Sequence, residues 1–272
     1  MNARRLSAAT IAVAIQIAAA TAFDAASPAK AAAPVAVFNW TGFYIGLNAG
    51  GFDSNANIGT STTCTPGQCY FIDTNTTNLF NSTGSRRVNS AGFIGGAEAG
   101  FNWQAGNFVA GIETDFQSYR QNGFGSGTAI YPTLAPSKFT VSQSFSTEWL
   151  WTLRPRIGVT SNNWLFYATG GLAVTSVKAN WSFIDDFADA ESASMSKTRT
   201  GWTIGGGAEY ALSKRWSLKA EYLHLDFGNL QMTSNNLLDS GVTPVPGQIF
   251  VHSVSLRSDA VRVGVNYRLG AP

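Results

Sequence analysis

Charge is what this chain has least of. Only 12% of its 272 residues are Asp, Glu, Lys or Arg, about half the share usual in a soluble domain. The charges present nearly cancel, 18 basic against 16 acidic. No basic block exceeds a pair such as Arg86-Arg87, which argues against a nucleic-acid partner. Long apolar runs are missing too: with a mean hydropathy of +0.00 the chain is no bundle of membrane helices. Histidine is limited to His224 and His252, and cysteine to Cys64 and Cys69 in Cys-Thr-Pro-Gly-Gln-Cys. That pair reads as a small disulfide loop around a Pro-Gly turn, in an oxidising compartment outside the cytoplasm. The alternative, a redox or metal pair, lacks further nitrogen or sulfur ligands nearby. No metal and no cofactor is expected.

What the chain does have is glycine, 28 residues of it, and aromatic side chains at 12%. The stretch Trp40-Thr41-Gly42-Phe43-Tyr44-Ile45-Gly46-Leu47-Asn48-Ala49-Gly50-Gly51 shows how they are used. Phe43, Ile45, Leu47 and Ala49 fall on one side of a strand; Tyr44, Gly46, Asn48 and Gly50 fall on the other. A soluble sheet backs its greasy face with large polar residues. Here the second face is mostly glycine, as in a narrow, crowded interior. The pattern predicts the first strand of a transmembrane β-barrel, with apolar groups facing lipid and polar groups facing inward.

In chain order, residues 1–22 read as a secretory signal peptide. Arg4 and Arg5 precede an apolar core, and Ala20-Thr21-Ala22 forms a small-x-small cleavage site. Residues 23–39 form an Ala/Pro-rich periplasmic linker, and 40–272 the barrel. Eight strands are expected at 42–53, 88–103, 108–119, 145–159, 164–178, 199–211, 216–226 and 254–269, each reaching the ~9–11 residues that cross a bilayer. Tight turns join them at 104–107, 160–163 and 212–215, and long Ser/Thr/Asn/Gly-rich loops at 54–87, 120–144, 179–198 and 227–253. Short turns on one side and long loops on the other is the asymmetry of an outer-membrane barrel. The fold class is therefore all-β, an eight-stranded antiparallel up-and-down barrel.

Aromatic residues sharpen this picture. Trp103, Phe108, Trp164, Tyr210 and Trp216 flank the short turns, and Trp40, Phe43 and Tyr267 are expected at the same level. Such a ring is an interfacial girdle, where amphipathic rings meet both lipid and water. Charge then fixes which face is which, because an Arg turned to lipid near the midplane costs about 2–4 kcal/mol. Strand parity places Glu98, Glu113, Asp115, Arg154, Arg156, Glu209, Lys219, Glu221, Arg262 and Arg268 in the lumen. Pro155 then faces lipid and marks a bulge or irregularity. Eight strands leave an interior that side chains fill, so these charges should pair into a polar plug. The alternative is a charged path that selects ions.

Several segments resemble a known family. With the first strand, they are Phe93-Ile94-Gly95-Gly96-Ala97, Leu153-Arg154-Pro155-Arg156-Ile157-Gly158, Tyr167-Ala168-Thr169-Gly170-Gly171-Leu172-Ala173, Glu221-Tyr222-Leu223 and Val261-Arg262-Val263-Gly264-Val265-Asn266-Tyr267. Together they are similar to the small outer-membrane β-barrel proteins of rhizobia-like alphaproteobacteria, relatives of the opacity-protein and OmpA-type barrels. The resemblance implies a Gram-negative outer-membrane surface protein of the porin-family type. Its partners would be outer-membrane lipid and lipopolysaccharide, the barrel-assembly machinery, and host surfaces or phage. The chain departs from the family in having Pro155 where glycine is usual, and in ending on Leu269-Gly270-Ala271-Pro272 rather than on an aromatic residue.

Site chemistry is thin. His224 is expected near a strand's loop end and His252 in the last long loop, close to Ser253 and Ser255, but serine is abundant there and no enzyme is expected. Asp185, Asp186, Asp189 and Glu191 read as a solvated acidic loop, because calcium-loop spacing is absent. Some relatives are credited with binding haem. Tyr70, Tyr131 and His252 are the loop residues that could ligate its iron, without persuasive spacing. The functional expectation is a structural, surface-exposed barrel that contributes to envelope integrity, with a plugged lumen. The alternatives are a narrow porin for small solutes, or a haem- or host-binding receptor.

Overall fold

The computed structural model describes residues 38–270. The segment read as a signal peptide, nearly all of the one read as a linker, and the last two residues lie outside that range. Eight long strands run antiparallel: β1 (Gly42–Cys64), β2 (Ser85–Ala105), β3 (Phe108–Ile130), β4 (Lys138–Ser161), β5 (Trp164–Asp185), β6 (Ala190–Ala211), β7 (Trp216–Ser234) and β10 (Gln248–Arg268). Each pairs with its neighbours in sequence, and β10 returns to β1. The sheet thus closes into an up-and-down barrel, the one sheet form that leaves no edge exposed to lipid. Two short strands, β8 (Leu238–Asp239) and β9 (Thr243–Pro244), and one helix, α1 (Thr74–Thr83), sit at the loop end.

The strands are 19 to 24 residues long, about twice what a bilayer needs. Most of the stretches expected as long loops are strand. The true connections at that end are 65–84, 131–137, 186–189 and 235–247. The apolar outer band covers only the half nearest the short turns. On β3 it runs through Ile112 to Phe116, and the next outward residues are Ser118, Arg120 and Asn122, with Phe124 and Ile130 exposed as isolated apolar residues higher up. The upper half therefore stands roughly 30 Å clear of the hydrocarbon, given a ~3.3 Å rise per residue and a ~45° tilt.

That upper half is not a ring. The β2–β3 ladder ends at Ile94↔Tyr119 and the β6–β7 ladder at Trp202↔Asp226, whereas the other six continue toward the strand ends. Above those points the barrel splits into two four-stranded sheets, β2-β1-β10-β7 and β3-β4-β5-β6. They share one apolar core: Phe52, Ile58, Phe227 and Leu256 from the first sheet face Tyr119, Phe145, Leu150 and Trp181 from the second. Side chains bridge both seams. Across β6/β7, Arg199 Nε donates to the Phe227 carbonyl at 2.7 Å. Across β2/β3, Arg86 fills the space beside Gly127, where a side chain would collide with its guanidinium. The polarity has inverted: ionic inside and apolar outside in the bilayer, apolar inside and polar outside above it.

Three register shifts accompany the inversion, one of them where residues 147–149 of β4 face 176–177 of β5. Tyr119 and Arg120 on β3 oppose the single residue Glu148 on β4, and β7 bulges around Gly228, whose φ of 65° suits glycine. Pro155 is not a bulge. The β4–β5 register is the same on either side of it, Leu153↔Leu172 and Arg156↔Thr169. Gly170 and Gly171 stand opposite, and Thr169 Oγ1 donates to the Pro155 carbonyl at 2.9 Å, which lets the ladder pass without an extra residue.

If the membrane ends where the outer polarity changes, one strand should report it. Leu47→Arg, in the apolar band of β1, is expected to lower folding stability in lipid vesicles by about 2–4 kcal/mol. Asn57→Arg, on the same face higher up, should leave it within about 0.5 kcal/mol of the parent. Urea titration of the refolded proteins makes the comparison.

Candidate functional site

From the short-turn end upward, the interior is layered. The floor is apolar: Trp40, Val109, Leu165, Tyr167 and Ala211 cluster, with Phe38 against them. Trp40 is only 1% exposed. It lies inside the barrel and not on the girdle, because the chain turns in under the floor before β1 begins. Its N–H donates to Gln104 Oε1 at 2.7 Å. The six girdle residues of the sequence reading lie on the outer face: Trp103, Phe108, Trp164 and Trp216 are exposed, and Tyr210 and Tyr267 half-buried. Trp164 packs on Tyr210 at 4.8 Å between ring centroids, and Trp216 on Tyr267 at 4.9 Å.

Above the floor sits the ionic layer. Arg154 reaches Glu113 at 2.6 Å, Asp115 at 2.7 Å and Glu221 at 3.2 Å. Arg262 reaches Glu221 at 2.6 Å and Asp115 at 2.8 Å. Lys219 holds Glu98 at 2.5 Å and Glu113 at 3.0 Å. Arg156 holds Glu209 at 3.3 Å and Glu113 at 3.4 Å. Its guanidinium lies between the rings of Tyr44 and Tyr167, 4.7 and 5.1 Å from their centroids. All these charged groups are buried. Neutral donors complete the carboxylates: Tyr44 Oη to Glu113 at 2.7 Å, Tyr167 Oη to Glu221 at 2.9 Å, Asn48 to Glu98 at 2.6 Å and Asn266 to Glu209 at 3.0 Å. Glycine makes the room: a Cβ on Gly100 would lie 2.3 Å from the Tyr44 hydroxyl.

Arg268 stands apart from this network. It is buried at the floor, donates to the Thr41 carbonyl at 2.8 Å and stacks over Phe38 at 4.6 Å. Counted with it, the ten charges that parity turned inward are five acidic and five basic.

Above the ionic layer comes the apolar core of the sandwich, then a polar knot. His252 is not in a loop; it lies on β10, buried. Its Nε2 meets Ser234 Oγ at 2.9 Å and Glu191 Oε1 at 3.1 Å, its Nδ1 meets Thr60 Oγ1 at 3.2 Å, and Trp181 stacks on its ring. Serine and carboxylate share one ring nitrogen, so no proton relay runs from serine through the ring to the acid. Glu191 is likewise interior and not part of a solvated loop. His224 faces outward, bonded to Asp259 at 2.8 Å.

The top is closed by α1, which sequence reasoning missed. Asp73 caps it by accepting the Thr76 N–H at 2.9 Å, and these bonds hold the Asp73 carboxyl below its usual range. Phe80 points from α1 into the mouth, fully buried against Phe71, Phe139, Phe183 and Phe250. The Cys64–Cys69 disulfide ties the end of β1 to the loop that leads into this stopper. Tyr70 donates to Asp189, and Tyr131 donates to Asp185 at 2.7 Å. Burial raises both phenols well above their usual range, with the neighbouring carboxylates adding to the shift. Burial also raises the Asp185 carboxyl. Tyr70 and Tyr131 therefore remain protonated donors strapping the loops, and His252 lies below them inside the wall. The three are not gathered around a common opening.

Two substitutions separate the layers. Glu113→Ala strips a carboxylate from Arg154, Arg156 and Lys219 together and is expected to cost about 3–5 kcal/mol of stability, the toll of a buried charge left unpaired. Asp73→Ala should leave global stability nearly unchanged but speed hydrogen exchange across 74–83. In the parent, acid should do the same: a cap whose carboxyl is held low contributes at neutral pH and is lost as pH falls through its folded value.

The sequence has relatives among known proteins. The sequence fits the family model of the outer membrane protein beta-barrel domain over residues 16–268. It is 38% identical over 244 residues to the 31 kDa outer-membrane immunogenic protein of Brucella melitensis, covering 88% of both chains. It is 31% identical over 150 residues to the 22 kDa outer membrane protein of Rhizobium leguminosarum bv. viciae, covering 55% of this chain and 58% of that one. Among solved structures, outer membrane protease OmpT from Escherichia coli aligns with 85% of this chain and 98% of its own, at 8% identity and a TM-score of 0.47. The chain belongs to the outer membrane protein beta-barrel domain family and resides in the bacterial outer membrane.

Proposed function

We propose that this protein is a closed structural barrel that contributes to envelope integrity and displays a rigid polar sandwich at the cell surface. One observation carries the reading: the lumen at bilayer depth is occupied by buried charges joined in one ion-pair network of five carboxylates and four cations. A permeating ion would have to displace an Arg–carboxylate contact of 2.6–2.8 Å in a low-dielectric interior. An apolar floor and a phenylalanine stopper lie below and above that layer.

The Brucella relative is named an immunogenic protein. Carried over, that name fits a role in which the upper half is what antibodies, host surfaces or phage meet. Lipopolysaccharide would surround the same half, and the assembly machinery would engage β10. Among the described residues the Ser234–His252–Glu191 contacts form no relay, and the Brucella and Rhizobium relatives' printed names denote no enzyme.

Planar-bilayer recording of the refolded protein tests the closed lumen. The expected trace is a flat baseline, unchanged by Phe80→Ala, because the ionic layer beneath the stopper remains. A steady, voltage-independent conductance in the parent protein would establish the narrow-porin alternative instead.

A further inference from the structure

Where β3 bulges past Glu148, the outer face opens into a groove of about 430 Å³, lined by Phe116, Ser118, Arg120, Asn122, Ser146, Glu148 and Trp149 among others. Its position is distinctive. Phe116 and Trp149, stacked at 5.8 Å, are the last aromatic side chains of the apolar band on these strands, and Ser118, Arg120 and Asn122 follow above it on β3. The groove therefore straddles the height at which acyl chains give way to head groups.

Its charge is also unbalanced. Glu148 is engaged by Lys178 at 2.6 Å. Arg120 is exposed, points outward and lies within electrostatic reach of the same carboxylate, which Lys178 already engages. Two cations thus share one carboxylate, and the one not in direct contact with it is an arginine, whose planar fork suits an anionic oxygen cluster. The wall above continues in short hydroxyl side chains. Ser126, Ser142, Ser182 and Ser192 sit directly opposite one another across β3, β4, β5 and β6. Such a face is low in charge, and its side chains are short enough for a sugar ring to approach the sheet. Aromatic floor, outward guanidinium and a wall mostly of hydroxyls, interrupted by Phe124, form an ordered sequence from lipid to water.

We propose that this groove binds the phosphorylated saccharide head group of an outer-leaflet glycolipid. The phosphate sits on Arg120, the first sugar lies against Asn122 and Ser146, and the acyl chains run down past Phe116 and Trp149. The proposal rests on the reading of lipopolysaccharide as the surrounding partner and assigns it a site.

The test is binding of bis-phosphorylated lipid A to the full-length protein refolded in phosphatidylcholine nanodiscs. Arg120→Glu is compared with Arg87→Glu, an outward arginine on the opposite sheet. Heat-modifiable migration on gels confirms that each variant is folded. The expected result is an affinity about tenfold lower for Arg120→Glu, the scale of one lost charge-assisted contact. Arg87→Glu should bind as the parent does. Lipid A stripped of its phosphates should bind parent and Arg120→Glu equally weakly. Arg120→Glu matching a parent that still prefers lipid A to phosphatidylglycerol would overturn the site and leave the partner standing. A parent with no preference for lipid A over phosphatidylglycerol would remove both.

Discussion

Buried guanidinium and carboxylate groups at bilayer depth impose the constraint from which the rest of this structure follows. Lipid outside the wall offers no hydrogen-bond partner, and a lumen walled by eight strands leaves little room for water. Each charge must therefore be met by another side chain. That requirement fixes strand parity, since a slip of one residue would turn Arg154 and Arg262 toward hydrocarbon. It also fixes where glycine stands, because Arg156 with its two tyrosine rings fits only if the facing wall is bare.

Above the bilayer the constraint lifts and the logic reverses. Water satisfies the outer face, so the interior becomes an apolar core like that of a soluble sandwich. The two bulges, at Glu148 and at Gly228, lie near the change of regime. On β4 the inward residues switch from even numbers, Arg154 and Thr152, to odd ones, Phe145 and Val141. Both seams open just where the lower ring ends, and arginines bridge them because the edge strands there have lost a backbone partner. One chain thus carries a membrane barrel and a water-facing sandwich on the same eight strands.

The lower half was legible because its two faces differ sharply: Leu47 against Asn48, Leu153 against Arg154, Val261 against Arg262. The upper half was not. Segments such as Gly123-Phe124-Gly125-Ser126-Gly127-Thr128 put glycine inside and Phe124, Ser126 and Thr128 outside, so alternation is present but its sense is reversed and its composition is that of a loop. Their length was hidden for the same reason. The helix α1 was missed because Thr-Asn-Thr-Thr-Asn is a poor helix former; only the Asp73 cap and the burial of Phe80 betray it. Trp40 and His252 were misplaced because position along the chain does not say whether a ring points in or out. Pro155, which lacks a donor, reads as a bulge or an irregularity; the ladder skips it without an extra residue, and the glycines that accommodate it lie on the neighbouring strand, out of reach of local pattern.

The central claim is that the charges of the lumen act as one coupled unit. A double-mutant cycle on Glu221 and Arg262, 2.6 Å apart at closest approach, measures it through urea unfolding in lipid vesicles. The account predicts that Glu221→Gln and Arg262→Gln each cost about 3–5 kcal/mol, and that the pair together costs less than the sum by at least about 1 kcal/mol, since removing both leaves neither charge without the other. Additive losses, or single losses within about 0.5 kcal/mol of zero, would mean that water enters the lumen and screens these groups, and the closed barrel would have to be abandoned.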